Sequence, residues 1–367
     1  MHRKALPRIK EAEGDLSVPG CIERTRSDRG LGRYAPKIVY VLSGGAATGL
    51  SHLGLIEALE NRGIRPDLVV GTSAGALFGA LYCHFGNVGD VFREVELVFG
   101  SGEFREFEGK YFGERKPADG HVQFGIRHFI SGLAGTLKNG MHLGKALATS
   151  AMVAEKDAVS LFGRIFEGIT FQTLKIPFAA VAVDLVEGVP VVFTADRGPD
   201  GLMKAVMASC AIPFIFPAVE IEGHAHADGY IMSNLPVREA RALLAGQEAL
   251  LIGLDVTAPV ELSADDLSTL ELVLRLLDLS TRSKQSADRL LVDVLFQPMD
   301  RSYPWSSFAE YKAFYDLGRR YLSEERLDGL EKAYLEKYAA NIRKDKNPAR
   351  KHLAAAKLKR IARAGGT

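Results

Sequence analysis

The segment KIVYVLSGGAATGLSHLGLIEALENRGIRPDLVVGTSAGALFGALYCHF, residues 37–85, alternates two short apolar runs with two helical patterns. Ile38 to Leu42 is β-branched and nearly all apolar, the pattern of a strand buried on both faces. A glycine loop, residues 43–49, follows. Leu50, Leu53, Ile56 and Leu59 then recur at helical spacing, and Gly63 stands where a helix commonly closes with a left-handed residue. Pro66 and Asp67 turn the chain into a second short strand, Leu68 to Val70, and Gly71-Thr72-Ser73-Ala74-Gly75 leads into a small-residue helix. Strand, loop, helix, strand, turn and helix make a βαβα unit, whose crossover is right-handed and whose strands are parallel. The expected class is α/β, with a mostly parallel central sheet sandwiched by helices.

Outward from that unit the pattern continues. FAAVAVD (178–184), VPVVFT (189–194), LLIGLDV (250–256) and LLVDVLF (290–296) read as further strands. A short helix is expected near Leu202–Ser209. Another is expected over Asp266–Ala287, with Leu270, Val273, Leu274 and Leu277 on its apolar face. Residues 100–160, rich in Gly, Phe, Lys and His, read as an inserted cap or lid. Residues 1–36 read as a polar N-terminal extension, 37–300 as the catalytic unit, 301–340 as helices packing on it, and 341–367 as a basic tail. That tail holds nine lysines and arginines against Asp345. Within it Leu353, Leu358 and Ile361 fit one helix face that, ringed by basic residues, would dock on anionic lipid; a solvated, frayed terminus is the plainer alternative.

Composition narrows the classes. The chain has 367 residues, 47% hydrophobic and 25% charged, the balance of a globular protein with a large core. A net charge of +1 leaves no global footprint for nucleic acid. Three scattered cysteines, Cys21, Cys83 and Cys210, supply neither a disulfide framework nor a metal site. Neither a signal peptide nor a transmembrane helix is read in the chain: AVMASCAIPFIFPAVEI (205–221) is too short and is broken by Pro213 and Pro217. The expected location is cytoplasmic, with peripheral membrane contact through the tail.

G-x-S-x-G on a strand-to-helix turn exposes a serine hydroxyl at the end of a sheet, with a helix N-terminus behind it. Ser73 is therefore a candidate nucleophile; a serine-capped turn is the plainer alternative. Three readings compete for the loop at 43–49. As an ATP-binding loop it fails because Leu50 stands where lysine must be. As a dinucleotide fingerprint it fails at Ala46. As an oxyanion loop, the N–H groups of Gly44, Gly45 and Ala46 face Ser73. The base is open between His224 or His226, in a turn, and Asp228, which precedes Gly229 after a strand.

These elements together resemble the patatin-like phospholipase family in its bacterial form. The resemblance rests on Gly44 to Gly49, Gly71-Thr72-Ser73-Ala74-Gly75 and Asp228-Gly229-Tyr230, in that order. Connecting text supports it: LSHLGLIEALENRGIRPD, MASCAIPFIFPAVEIEGHAHADG and Ser233-Asn234-Leu235-Pro236-Val237. It runs from about Lys37 to Thr257. The resemblance implies a lipid acyl hydrolase with a Ser73–Asp228 dyad, an oxyanion hole at 44–46, no catalytic histidine, and neither metal nor cofactor. Three positions depart from the family pattern: Ala46 for a glycine, Thr48 for an arginine, and Tyr230 for a small residue. They keep open an alternative, a catalytically weak scaffold that binds lipid or a protein partner.

Overall fold

The computed structural model describes residues 21–28, 30–112, 151–196, 201–259, 269–301, 303 and 308–363. In chain order its first elements are α1 (Cys21–Ser27), β1 (Lys37–Leu42), α2 (Ser51–Asn61), β2 (Leu68–Thr72), α3 (Ala74–Phe85), α4 (Val88–Phe99), α5 (Gly102–Phe112), α6 (Glu155–Ile165), β3 (Phe178–Asp184) and β4 (Val189–Phe193). Then come α7 (Gly201–Ser209), β5 (Val219–Ile221), β6 (His224–Asp228), α8 (Tyr230–Ser233), α9 (Val237–Leu243), β7 (Ala249–Leu254), α10 (Thr269–Arg289), β8 (Val294–Phe296), α11 (Tyr311–Tyr321), α12 (Glu324–Lys344) and α13 (Pro348–Arg363).

The apolar run at 38–42 is the centre of the sheet. Successive residues of a strand face opposite sides. Ile38, Tyr40 and Leu42 accordingly join the larger core, with Leu53, Phe78 and Val206 of the covering helices. Val39 and Val41 join a second core that α9 closes with Val237 and Ala240. Helices thus cover both faces, as expected. The strand order is β5-β6-β3-β2-β1-β7-β8, with β4 also paired to β3. The pairings β3–β2, β2–β1, β1–β7 and β7–β8 are parallel. Those of β3 with β4, β3 with β6, and β5 with β6 are antiparallel.

One register sets the site. β2 pairs with residues 178–181 of β3, β6 with residues 182–184, and β4 spans 180–184, overlapping both. A strand has only two edges, so β2 and β6 lie end to end along the same edge of β3. They run towards each other. Thr72 is level with Val181 and Asp228 with Ala182. The carboxyl ends of two strands far apart in sequence therefore meet.

Several expectations are corrected. LLVDVLF is a strand only at 294–296; residues 290–293 form a turn, and Leu290 is exposed. Leu277 on α10 is 51% exposed rather than buried; the side chains of Leu270, Val273 and Leu274 lie outside the described residues, as do residues 1–20 and 113–150. The expected polar extension contributes α1, whose Cys21, Ile22 and Thr25 are buried beside α12 and α13. The tail is the helix α13, and its apolar residues are largely spent on packing. Ala354 is buried and Leu358 and Ile361 pack against the core, leaving Leu353 exposed. The C-terminal helices are tied to the sheet unit by Arg62, which pairs with Glu324, Asp328 and Glu331 of α12. No helix among the described residues is long and apolar enough to cross a membrane.

α2 and α11 cross at nearly backbone contact. A Cβ on Gly54 would lie 2.0 Å from the Tyr315 carbonyl oxygen, and one on Gly318 would lie 2.1 Å from that of Ser51. Overpacking so tight a crossing costs about 1–3 kcal/mol or more. Gly54→Ala is expected to lower the unfolding free energy by that amount, read as a lower urea midpoint at an unchanged m-value; an unchanged midpoint would mean the helices separate freely.

Candidate active site

Ser73 opens α3 at φ 55° and ψ −123°, a conformation L-residues avoid. The flanking glycines make room for the turn: a Cβ on Gly71 would lie 2.3 Å from the Gly75 carbonyl oxygen, and one on Gly75 would lie 2.4 Å from that of Leu42. Such strain persists only where surrounding contacts overdetermine it. Here the Ser73 N–H donates to Ser209 Oγ at 2.9 Å, and Ser209 Oγ donates to the Val181 carbonyl at 2.6 Å. The Ser73 carbonyl accepts from the N–H groups of Ala76 and Leu77, at 2.9 and 3.0 Å, and from the Cys210 thiol at 3.2 Å.

Ser73 Oγ donates to Asp228 Oδ2 at 2.7 Å. The other oxygen, Oδ1, accepts the Tyr230 N–H at 2.8 Å, so both oxygens are fixed and the carboxyl plane with them. Asp228 is only 1% exposed. Burial pushes its carboxyl up to about 7, against the lowering effect of the two hydrogen bonds. A carboxylate with that proton affinity is matched to general-base work near neutral pH.

The glycine loop lies beside this pair: a Cβ on Gly44 would meet Ser73 Cβ at 2.9 Å. Its donors are not equivalent. The Gly44 N–H is taken by Asn234, through its carbonyl at 3.1 Å and its Oδ1 at 3.0 Å. Gly44 is therefore corrected from a donor to an anchor. The N–H groups of Gly45 and Ala46 carry no hydrogen bond among the described residues, and Ala46 lines the same cavity as Ser73. Ala46 sits at φ 51°, where glycine is favoured. Thr48 is buried and donates to the carbonyls of Gly45 and Val256, each at 2.8 Å. A structural brace thus stands where the family pattern has an arginine. His52 is also buried; its Nε2 lies 2.8 Å from the Ser43 carbonyl, and burial lowers its pKa to about 4, so it braces the loop as a neutral donor.

The histidines weighed as bases lie elsewhere. His224 Nδ1 pairs with Asp184 Oδ2 at 2.6 Å, and His226 Nδ1 contacts the His224 carbonyl at 3.0 Å. Neither bonds to Ser73 or Asp228. His121, His128 and His142 lie outside the described residues. Tyr230 packs, with its hydroxyl on Asp278 Oδ1 at 2.9 Å. Ser209 and Asn234 went unassigned by sequence reasoning. Their signal was a polar residue set in an apolar run, in MASCAIPF and SNLPV.

Ser73 and Ala74 open onto a cavity of about 80 Å³ with an almost wholly apolar wall. α3 contributes Leu77 and Phe78, α5 Phe104 and Phe107, and α6 Leu161, Phe162 and Ile165. Of these, Phe104 and Phe107 fall within the expected cap at 100–160, and the α6 residues lie just beyond it. The arrangement suits an apolar chain lying against a nucleophile. Among the described residues no cluster of His, Cys, Asp and Glu could hold a metal ion.

A family model described as patatin-like phospholipase matches residues 40–241, more than half of the chain. An uncharacterized NTE family protein of Mycobacterium tuberculosis (strain ATCC 25618 / H37Rv) is 27% identical over 236 residues, 64% of this chain and 51% of that protein. Lysophospholipase NTE1 of Mycosarcoma maydis is 47% identical over 108 residues, 29% of this chain and 5% of that protein. The chain spans about half the length of the mycobacterial relative and a small part of the fungal one. Among solved structures, VipD from Legionella pneumophila aligns with a TM-score of 0.36 and 16% identity, over 90% of this chain and 81% of that chain.

Because the Asp228 pKa is raised, the folded state holds this proton more firmly than the unfolded state. Stability therefore falls as pH rises from about 4 through about 7. Asp228→Asn removes that cost. At pH 8 it is expected to melt above wild type, with the gap narrowing towards pH 5. A variant less stable than wild type at pH 8 would mean the carboxylate is well solvated in the fold.

Proposed function

The chain belongs to the patatin-like phospholipase family, and we propose that it is a serine lipid acyl hydrolase cleaving carboxylic esters of phospholipids or lysophospholipids with a Ser73–Asp228 dyad. The observation that carries the reading is the 2.7 Å contact between Ser73 Oγ and Asp228 Oδ2 beside an apolar cavity. In the first step Asp228 takes the Ser73 proton as Oγ bonds to the ester carbonyl carbon. The oxyanion accepts from the Gly45 and Ala46 N–H groups, with the N-terminus of α3 close by. Collapse breaks the bond to the alcohol oxygen, which leaves with the proton from Asp228. A water, deprotonated by Asp228, then attacks the acyl carbonyl carbon; collapse breaks its bond to Ser73 Oγ, which takes the proton back from Asp228, and the carboxylic acid leaves. The acyl chain lies among the phenylalanines of α3 and α5.

The same reading takes residues 37–300 as the catalytic unit, with the helices of 301–340 docked on it. Peripheral contact with an anionic membrane through residues 341–367 belongs to it too. Because Leu358 and Ile361 are spent on packing, that contact rests on charge, about 1 kcal/mol per basic residue near the surface.

The test is the pair of variants Ser73→Ala and Asp228→Asn. Both are expected to lose at least about 10³-fold in hydrolysis of short-chain aryl esters and of lysophospholipid, the range in which single members of a nucleophile–base pair act. Only wild type should take up a fluorophosphonate probe at a measurable rate. Labelling that persists in Ser73→Ala would assign the nucleophile elsewhere.

A further inference from the structure

α10 presents four polar side chains at Asp278, Arg282, Gln285 and Arg289, spaced four, three and four residues apart, so that they fall on one helical face. That face reaches both halves of the candidate site. Towards the base, Asp278 Oδ1 accepts the Tyr230 hydroxyl at 2.9 Å, and the Tyr230 N–H holds Asp228 Oδ1 at 2.8 Å. Arg282 steadies Asp278 through Nε, at 2.9 and 3.0 Å from its two oxygens, and donates to the Ala258 carbonyl at 3.2 Å.

Towards the oxyanion loop, Gln285 Nε2 donates to Thr257 Oγ1 at 2.8 Å and to Asp255 Oδ1 at 3.0 Å. Thr257 Oγ1 also accepts Asn234 Nδ2 at 2.9 Å, and Asn234 Oδ1 accepts the Gly44 N–H. Arg289 pairs with the fully buried Asp255 at 2.6 Å. Residues 255–258 are thus a hub: α10 grips them on one side, and Asn234 and Thr48 hang from the other. The first route passes through Tyr230 alone to the Asp228 carboxyl, and the second through the side chains of Thr257 and Asn234 to Gly44, the residue before the Gly45 and Ala46 N–H groups.

We propose that α10 is a clamp that sets the base and the oxyanion loop relative to one another, with Tyr230 and Gln285 as its positioning residues. The proposal rests on the Ser73–Asp228 reading. Neither residue touches substrate: Tyr230 holds the carboxyl of the base through its N–H, and Gln285 holds, through Thr257 and Asn234, the Gly44 anchor next to the Gly45 and Ala46 donors. A base and an oxyanion hole carried on separate segments lose rate when their spacing relaxes by even a fraction of an ångström. The clamp acts on chemistry more than on binding, because the acyl cavity is walled by other elements.

The experiment compares Tyr230→Phe, Gln285→Leu and the double variant. It measures kcat and KM on a p-nitrophenyl butyrate substrate and the rate of fluorophosphonate labelling. Each single variant is expected to lower kcat and labelling about five- to tenfold, the effect of the one hydrogen bond lost in Tyr230→Phe or the two lost in Gln285→Leu, with KM within about twofold. The double variant should fall little below the worse single one, since both release the same helix. Thr257→Val should match Gln285→Leu, and Thr257→Ser, which keeps the acceptor oxygen, should restore the rate. Singles that match wild type, effects carried in KM, multiplicative loss in the double variant, or a Thr257→Ser as slow as Thr257→Val would each overturn the clamp while leaving the dyad standing. A wild-type protein that does not label would overturn the dyad, and the clamp with it.

Discussion

The structure depends on one edge of β3. Two strands from distant parts of the chain share it end to end and from opposite directions, so the carboxyl end of β2 faces that of β6. Neither Ser73 nor Asp228 is long enough to search for the other. Their 2.7 Å contact exists because Val181 and Ala182, adjacent residues of β3, are the positions to which the two strand ends are registered. Backbone hydrogen bonds of a buried sheet thereby fix the distance between two side chains, and ladder register permits no gradual adjustment.

Placing the pair there has two costs. Ser73 is held at a positive φ, and Asp228 is held out of water. The strain is contained by Ser209, which ties the Ser73 N–H to β3 on one side while Cys210 reaches the Ser73 carbonyl on the other. The burial is what raises the carboxyl's proton affinity. The feature that destabilises the fold is thus the one on which the proposed base role of Asp228 rests, the usual relation between stability and a preorganised site. The glycine loop, the proposed oxyanion hole, repeats the pattern: Ala46 keeps a strained φ of 51°, and Thr48, His52 and Asn234 hold the loop around it.

What the sequence made legible was local. IVYVL and LVV read as buried strands because apolar runs in strands need no partner to be recognised, and G-x-S-x-G read as a sharp turn because its glycines announce crowding. The direction of β6 was not legible, since antiparallel pairing beside a parallel sheet is decided by partners more than 40 residues away along the chain. The role of Gly44 was misread for a similar reason: its N–H looks free until Asn234, 190 residues further on, is folded onto it. Leu277 was expected inside because periodicity marks an apolar face without saying whether anything covers it. Leu358 and Ile361 were expected at a lipid surface, although the core of their own chain was the nearer apolar partner.

The central claim is that the sheet delivers Asp228 to Ser73 as its base, and the pH dependence of Ser73 acylation tests it most directly. With the Asp228 carboxyl near 7, the second-order rate of fluorophosphonate labelling should fall on an acidic limb centred about there, tenfold per pH unit below it. In Asp228→Asn that limb should vanish with the rate. A limb centred near pH 4, or one that survives in Asp228→Asn, would contradict the account.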